Sequence, residues 1–174
     1  MSYDLHLYRV PDGVSFEEWH EPAWEELDIS DAPVDPLIAE AADRVKARVL
    51  ALLPGAEVNE YEDGFGFQIF VPEGGPGIIF GLEPAGADLN LSYGEGFDEG
   101  VALMGDIAVA VAEETGLTIY DPQLEQVLTA EMIRGGKSSV GARRKFEISE
   151  QLLAELRNGA RPPKKRWWWP FSSA

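Results

Sequence analysis

Residues 35–55 read DPLIAEAADRVKARVLALLPG, and this stretch gives the clearest indication of the fold. Asp35 is a favoured N-cap residue, and Pro36 follows at the first helical position, where a backbone N–H is not needed. Apolar residues recur at helical spacing through the stretch: Ile38, Ala41, Val45, Val49 and Leu52. Pro54-Gly55 then ends the pattern. The stretch predicts an amphipathic helix that packs one face on an apolar surface.

The sequence after this helix alternates in the manner of β-strands. Val58 to Val71 predicts a hairpin around Asp63-Gly64. Gly77 to Leu82 and Asp88 to Tyr93 predict two more strands, and the second alternates apolar and polar side chains. This alternation is typical of an antiparallel sheet with one buried face, so the sheet supplies the surface on which the helix packs.

Stretches on either side complete the expected architecture. Tyr3 to Val10 predicts an opening strand, and Phe97 to Thr115 predicts a second, largely apolar helix that ends at Gly116. Leu117 to Tyr120 predicts a short strand, and Leu124 to Leu128 is a candidate for one more. The fold class that follows is α+β, with an antiparallel sheet of about five strands and two main helices packed on one face.

The end of the chain differs from the rest. Residues 1–157 form the expected single acidic α+β domain. Residues 158–174 contain three prolines and the run Lys164-Lys165-Arg166-Trp167-Trp168-Trp169, without the period of packed structure. We predict that residues 158–174 are a flexible, basic, tryptophan-rich tail.

Composition excludes several classes of protein. The 174 residues include no cysteine, which removes disulfides, thiol nucleophiles and metal sites built on thiolates. No stretch is apolar for long enough to cross a membrane, so no transmembrane segment is expected. The opening residues lack a basic region followed by an apolar one, so a secretory leader is not expected either. These features predict a cytoplasmic protein.

Charge is the most informative bulk property of the chain. The formal net charge is −17 and is unevenly spread. Residues 1–133 hold 4 basic and 28 acidic side chains, a net charge of −24, whereas residues 134–174 carry a net charge of +7. A body this negative repels nucleic acid and anionic lipid and attracts basic proteins. We therefore expect a basic protein partner and do not expect nucleic acid as one.

An acidic and aromatic segment follows the opening strand and is our first candidate for partner binding. Ser15 and Glu18 have the spacing of a capping box, so a short helix can begin there. The predicted binding residues of this segment are two tryptophans and their flanking glutamates: Trp19, Trp24, Glu17, Glu18, Glu21, Glu25 and Glu26. Alternatively, the two tryptophans cover the sheet as part of the core.

The tail is the second candidate, because Trp167, Trp168 and Trp169 form an apolar group beside basic residues. Three interpretations remain open for these tryptophans. They can dock on the chain's own acidic body, anchor a protein partner, or contact a membrane surface as aromatic and polybasic segments do.

Short motifs also carry a resemblance to a known class of protein. These are Ser2-Tyr3-Asp4-Leu5, residues 116–123 (GLTIYDPQ) and the tail with its Lys-Lys and Trp-Trp pairs. Together they resemble small bacterial proteins that look like immunity proteins of polymorphic toxin systems. The resemblance implies a bacterial cytoplasmic protein that neutralises a toxin by binding it, and it transfers no catalytic or binding residue. An acidic body suits that role, because many toxin domains act on nucleic acid and are basic.

The sequence thus predicts an acidic binding protein of the kind that the resemblance implies, an immunity-like inhibitor of a basic toxin. No catalytic residue, cofactor or metal ligand is predicted, and His6 is expected to be a satisfied strand histidine. Two alternatives remain. One is a small hydrolase or metal-dependent enzyme that uses carboxylates, and the other is a membrane-proximal adaptor that acts through the tail.

Overall fold

The computed structural model describes residues 2–11, 13–16, 18–19, 33–62, 64–72, 77–92, 96–137 and 142. Its helices are α1 (Pro36–Leu52), α2 (Phe97–Thr115) and α3 (Ala130–Arg134). Its strands are β1 (Ser2–Tyr8), β2 (Glu57–Glu60), β3 (Phe67–Phe70), β4 (Ile78–Glu83), β5 (Gly86–Ser92), β6 (Thr118–Asp121) and β7 (Gln126–Leu128). The predicted tail, residues 158–174, lies outside the described residues.

The seven strands form one antiparallel sheet in the order β2-β3-β4-β5-β1-β6-β7. The predicted α+β class is therefore confirmed, but the sheet has seven strands where about five were predicted. The difference arises at β1, which pairs with β5 on one side and with β6 on the other. The first strand of the chain is thus internal, and β6 and β7 extend the sheet beyond it.

One face of the sheet is apolar and forms the core with the helices. In the three central strands, Leu5 pairs with Leu89, and Leu89 pairs with Phe80 on its other side. All three side chains are buried, and the same hydrophobic cluster contains Val45 of α1 and Met104 of α2. The two long helices therefore pack on this face, as predicted. We call the opposite face of the sheet, which carries His6, Tyr8 and Asp88, the outer face.

The start of α1 and the end of α2 lie where local chemistry favours them. Asp35 accepts hydrogen bonds at Oδ1 from the backbone N–H groups of Leu37, at 2.8 Å, and Ile38, at 3.3 Å. These bonds satisfy donors that the first turn of a helix leaves without partners. At the end of α2, Gly116 adopts a left-handed conformation with φ of 70°, which glycine tolerates best. The predicted start of α1 and the predicted bounds of α2 are therefore confirmed.

Candidate functional site

The predicted capping box opens the acidic and aromatic segment. Ser15 Oγ accepts a hydrogen bond from the backbone N–H of Glu18 at 3.2 Å, and Glu18 Oε2 accepts one from the backbone N–H of Ser15 at 3.3 Å. The hydroxyl of Ser15 also donates to Glu18 Oε2 at 3.1 Å. Glu18 is exposed, but its carboxylate is engaged in this local cap.

Trp19 lies on the outer face of the sheet and is half-buried there. Its ring centroid is 5.6 Å from that of Tyr8 and 5.9 Å from that of Phe16. Phe16 in turn stacks on Tyr120 at 4.4 Å. Aromatic pairs at these distances attract one another beyond the area they bury. Trp19 therefore contributes to a small aromatic cluster, which is one of the two alternatives that the sequence left open for it.

The other predicted binding residues are not placed by the structure. They lie outside the described residues: Glu17, Trp24, Glu21, Glu25, Glu26, Trp167, Trp168 and Trp169. The role of all these side chains in partner binding stays a prediction.

A histidine–carboxylate pair stands beside the aromatic cluster on the outer face. His6 of β1 lies directly opposite Asp88 of β5, and His6 Nδ1 shares a hydrogen bond with Asp88 Oδ1. The imidazole also stacks on Tyr8, with ring centroids 5.7 Å apart. His6 is thus a strand histidine with a bonded partner, and the sequence had not identified Asp88 as that partner.

Glu83 adds a second carboxylate to this part of the outer face. It pairs with Gly86 at the end of the β4–β5 hairpin, and Gly86 in turn pairs with Tyr8. Burial raises the pKa of the Glu83 carboxyl group, and the negative charge of Asp88 raises it further, while His6 partly opposes both effects. Burial likewise raises the pKa of Tyr61, with the charges of Glu83 and Asp88 adding to the rise.

These residues make a titratable cluster, which we define as His6, Glu83, Asp88, Tyr8 and Tyr61. A carboxyl group whose pKa is raised, next to a second carboxylate and an imidazole, can hold a proton or attract a cation. Alternation along each strand placed His6 and Asp88 on the polar side of the sheet. The sequence could not show that they are opposite one another, because that depends on the register between β1 and β5.

The four basic residues of residues 1–133 are all engaged in ion pairs. Arg9 donates to Asp35 at 2.5 Å and to the backbone carbonyl of Thr115 at 2.8 Å. Burial opposes ionisation of Asp35, but the hydrogen bonds from Arg9 and the start of α1 outweigh it and hold its pKa below the usual value. Lys46 donates to Glu60 at 2.5 Å and lies over the ring of Phe67.

Two further arginines bridge the helices. Arg44 and Arg48 of α1 donate to Glu114 of α2 at 2.9 and 3.0 Å, and Arg48 also donates to Glu113 at 2.9 Å. These hydrogen bonds lower the pKa of Glu113 and Glu114. Arg9, Arg44, Lys46 and Arg48 are the four basic residues among residues 1–133, so this stretch has no other positive side chain to balance its remaining carboxylates.

A cleft of about 270 Å³ lies between the helices, with Val109 and Ala110 among its lining residues. Its charged lining residues are Arg48, Asp106, Glu113 and Arg134. Both arginines already donate to Glu113, so the charges in this cleft largely compensate one another. The cleft therefore offers less to a charged ligand than the outer face does.

No group of three or more histidine, aspartate or glutamate side chains suited to a metal ion occurs among the described residues. Likewise, no helix in the described part of the chain has the length and apolar character needed to cross a membrane.

Comparison with known proteins does not assign the chain to a family. No protein-family model, curated protein or solved structure matches it.

Proposed function

We propose that this protein is an acidic, cytoplasmic binding protein that captures a basic protein partner, in the manner of an immunity protein that neutralises a basic toxin. The observation that carries the proposal is the state of its basic residues. All four in residues 1–133 are paired within the fold, and the same stretch contains 28 acidic residues. The remaining negative charge is available to steer a basic partner.

The aromatic residues suit the second requirement of a binding surface, which is an anchor. Tryptophan, tyrosine and arginine carry most of the energy in protein interfaces, usually at the centre of a ring of polar contacts. Trp19 is half-buried and next to the exposed Glu18, so part of the tryptophan ring can reach a partner without unfolding the cluster. Trp24 and Trp167–Trp169 are the further anchors in this proposal.

A capture experiment tests the proposal. Immobilised full-length protein and a version truncated after Gly159 are incubated with lysate of the source cells at low and at high salt. We expect a single basic protein to be retained at low salt and lost at high salt. The association rate of that purified partner should fall steeply as ionic strength rises. A captured partner that is acidic, or whose association rate ignores salt, would contradict the proposal.

Charge reversal then locates the surface. Replacing Glu17, Glu18, Glu21, Glu25 and Glu26 by lysine should slow association and weaken its dependence on salt. The matched control replaces five exposed carboxylates elsewhere in the body: Glu40, Asp43, Asp98, Glu99 and Glu131. If both sets slow association equally, steering depends on net charge alone and the acidic and aromatic segment is not the binding patch.

The titratable cluster supports a second candidate function, a carboxylate-based hydrolase. A carboxyl group whose pKa is raised beside a second carboxylate and a histidine is typical of acid–base sites. Hydrolysis of ester, phosphoester and glycoside probes by the purified protein tests this candidate. Activity that Glu83→Gln abolishes without loss of folding supports an enzyme, and absence of any turnover argues against one.

A further inference from the structure

The strand β2 is an exposed edge of the sheet. All four of its residues, Glu57–Glu60, are exposed, and among the described strands it pairs with β3 alone. The other edge strand, β7, has three residues that are half-buried or buried, and α3 begins two residues after it. An edge strand offers unpaired backbone donors and acceptors to any extended chain that can approach it.

The register shows which backbone groups point away from the sheet. The backbone N–H of Tyr61 donates to the carbonyl of Gly66 at 3.3 Å, continuing the pairing in which Glu60 lies opposite Phe67. In an antiparallel ladder, backbone groups alternate between the neighbouring strand and the opposite side. The N–H groups of Glu57 and Asn59 therefore face β3, as that of Tyr61 does. The N–H and C=O groups of Val58 and Glu60 face outward.

The side chains at this edge select against a second copy of the chain and in favour of a basic segment. Glu57 is exposed on the strand, and the exposed Glu62 follows two residues after it ends. Two copies pairing edge to edge would each bring a net charge of −17. Like charges close together across paired strands are destabilising, whereas opposite charges stabilise the pair. Lys46 donates to Glu60, and no ion pair among the described residues involves Glu57.

We propose that the outer edge of β2 receives an extended, basic segment of the partner protein by strand addition. Backbone hydrogen bonds to Val58 and Glu60 provide the pairing, and lysine or arginine side chains opposite Glu57 provide selectivity. The inference rests on the proposed function and names the docking edge and the chemistry of the segment that fits it.

Amide exchange measured by NMR tests the pairing directly. The probe is a short peptide of alternating lysine and valine residues, added to the full-length protein at low salt. We expect the amide protons of Val58 and Glu60 to gain protection, while those of Glu57 and Asn59, already bonded to β3, change little. Protection that appears elsewhere, or equally at all four amides, would overturn the proposal.

Two variants test the same edge by affinity. Val58→Pro removes the outward N–H and leaves the ladder to β3, since edge strands tolerate proline where the N–H faces away from the sheet. We expect the peptide to bind about tenfold more weakly, because one hydrogen bond is lost and the ring obstructs pairing. Glu57→Lys changes one exposed side chain and should weaken binding at low salt but not at high salt.

Glu125→Lys is the matched control for charge. Glu125 is exposed in the turn before β7, at the opposite end of the sheet. The Glu125→Lys variant should weaken peptide binding less than Glu57→Lys does. Equal losses of affinity would show that only net charge matters and that the edge of β2 is not the binding site. A natural basic partner that binds Val58→Pro and the unmodified protein equally would also overturn strand addition, while leaving the proposed function in place.

Discussion

Asp121 is a fully buried carboxyl group at the end of β6 that the fold supplies with three donors. The hydroxyl of Tyr3 donates to Asp121 Oδ2 at 2.8 Å, and the backbone N–H groups of Gln123 and Leu124 donate to Oδ1 at 2.8 and 3.1 Å. Burial raises the pKa of Asp121 in spite of these donors. These hydrogen bonds connect β1 to the β6–β7 turn, so losing one of them should destabilise this edge of the sheet.

We predict that Tyr3→Phe destabilises the protein by about 1–3 kcal/mol, because it leaves a buried carboxyl group without one of its donors. Urea unfolding at neutral pH measures the change. In an Asp121→Asn background the same substitution should cost less, since an amide that lacks one donor is less unfavourable than a carboxylate. Equal costs in the two backgrounds would show that the hydroxyl stabilises the fold through other contacts.

Glu83 gives a prediction about pH. Burial and Asp88 raise its pKa in the folded state, so the folded protein holds this proton more tightly than the unfolded chain. The stabilising effect is complete below the unfolded pKa, near 4.5, and is lost as the pH rises through the raised folded value. Glu83→Gln should therefore reduce the loss of stability as the pH rises from about 4.5 to 7.

Urea unfolding across this pH range measures the effect. Glu125→Gln, at an exposed position in the β6–β7 turn, is the control and should leave the pH profile close to that of the unmodified protein. If Glu83→Gln follows the control, the carboxyl group of Glu83 is not held in a proton-retaining environment. The cluster would then lose its support as an acid–base site.

Among the elements, the β2–β3 hairpin contains a glycine at a position that disfavours any other residue. Gly66 has a φ of 126°, and a Cβ there would collide with the backbone carbonyl of Leu82 on the far side of β3. Gly64 has a similar φ, 132°, with nothing close to the position of a Cβ. Gly64→Ala therefore introduces backbone strain alone, whereas Gly66→Ala adds a steric clash to it.

We predict that Gly66→Ala destabilises the fold by about 2 kcal/mol or more beyond the cost of Gly64→Ala. Thermal and urea unfolding of both variants give the difference. Because β2 is one of the two strands of this hairpin, Gly66→Ala should also weaken binding of the lysine–valine peptide to β2. Equal destabilisation by the two variants would mean that β3 and β4 can move apart at no cost.

The elements that the sequence predicted well are those with local signals. The start of α1 follows from Asp35-Pro36, and the end of α2 follows from Gly116, because caps act within a few residues. The helix α3 was missed: it has five residues and is capped by Thr129, whose hydroxyl accepts from Met132 N–H at 3.2 Å. A single turn has almost no periodicity to detect.

The outer-face cluster was missed for a different reason. His6 and Asp88 are 82 positions apart, and only the pairing of β1 with β5 brings them together. A change of register by one residue would turn the Asp88 side chain to the core face. The sequence therefore predicts which residues are polar and face outward, but not which of them meet across strands.

The whole molecule carries more negative charge than its fold can neutralise. The chain has a net charge of −17 and a pI of about 4.3, and the four basic residues of residues 1–133 are engaged in pairs. Unbalanced like charges repel one another and destabilise a compact state. The same charge provides long-range attraction for a basic partner. Under the proposed function, binding and stability are therefore opposed, because the charge that would attract a basic partner also destabilises the isolated fold.

We predict that sodium chloride stabilises the isolated protein, since screening reduces repulsion among many carboxylates and weakens only a few surface ion pairs. Raising the concentration from low to high should increase stability by about 1 kcal/mol, which for a chain of this size is roughly 2–4 °C in Tm. Thermal unfolding at neutral pH measures it. The gain should shrink near the pI of about 4.3, where much of the charge is titrated. A fall in Tm with salt at neutral pH would instead show that the ion pairs between α1 and α2 outweigh the repulsion. That result would weaken the proposal that the excess negative charge attracts a basic partner.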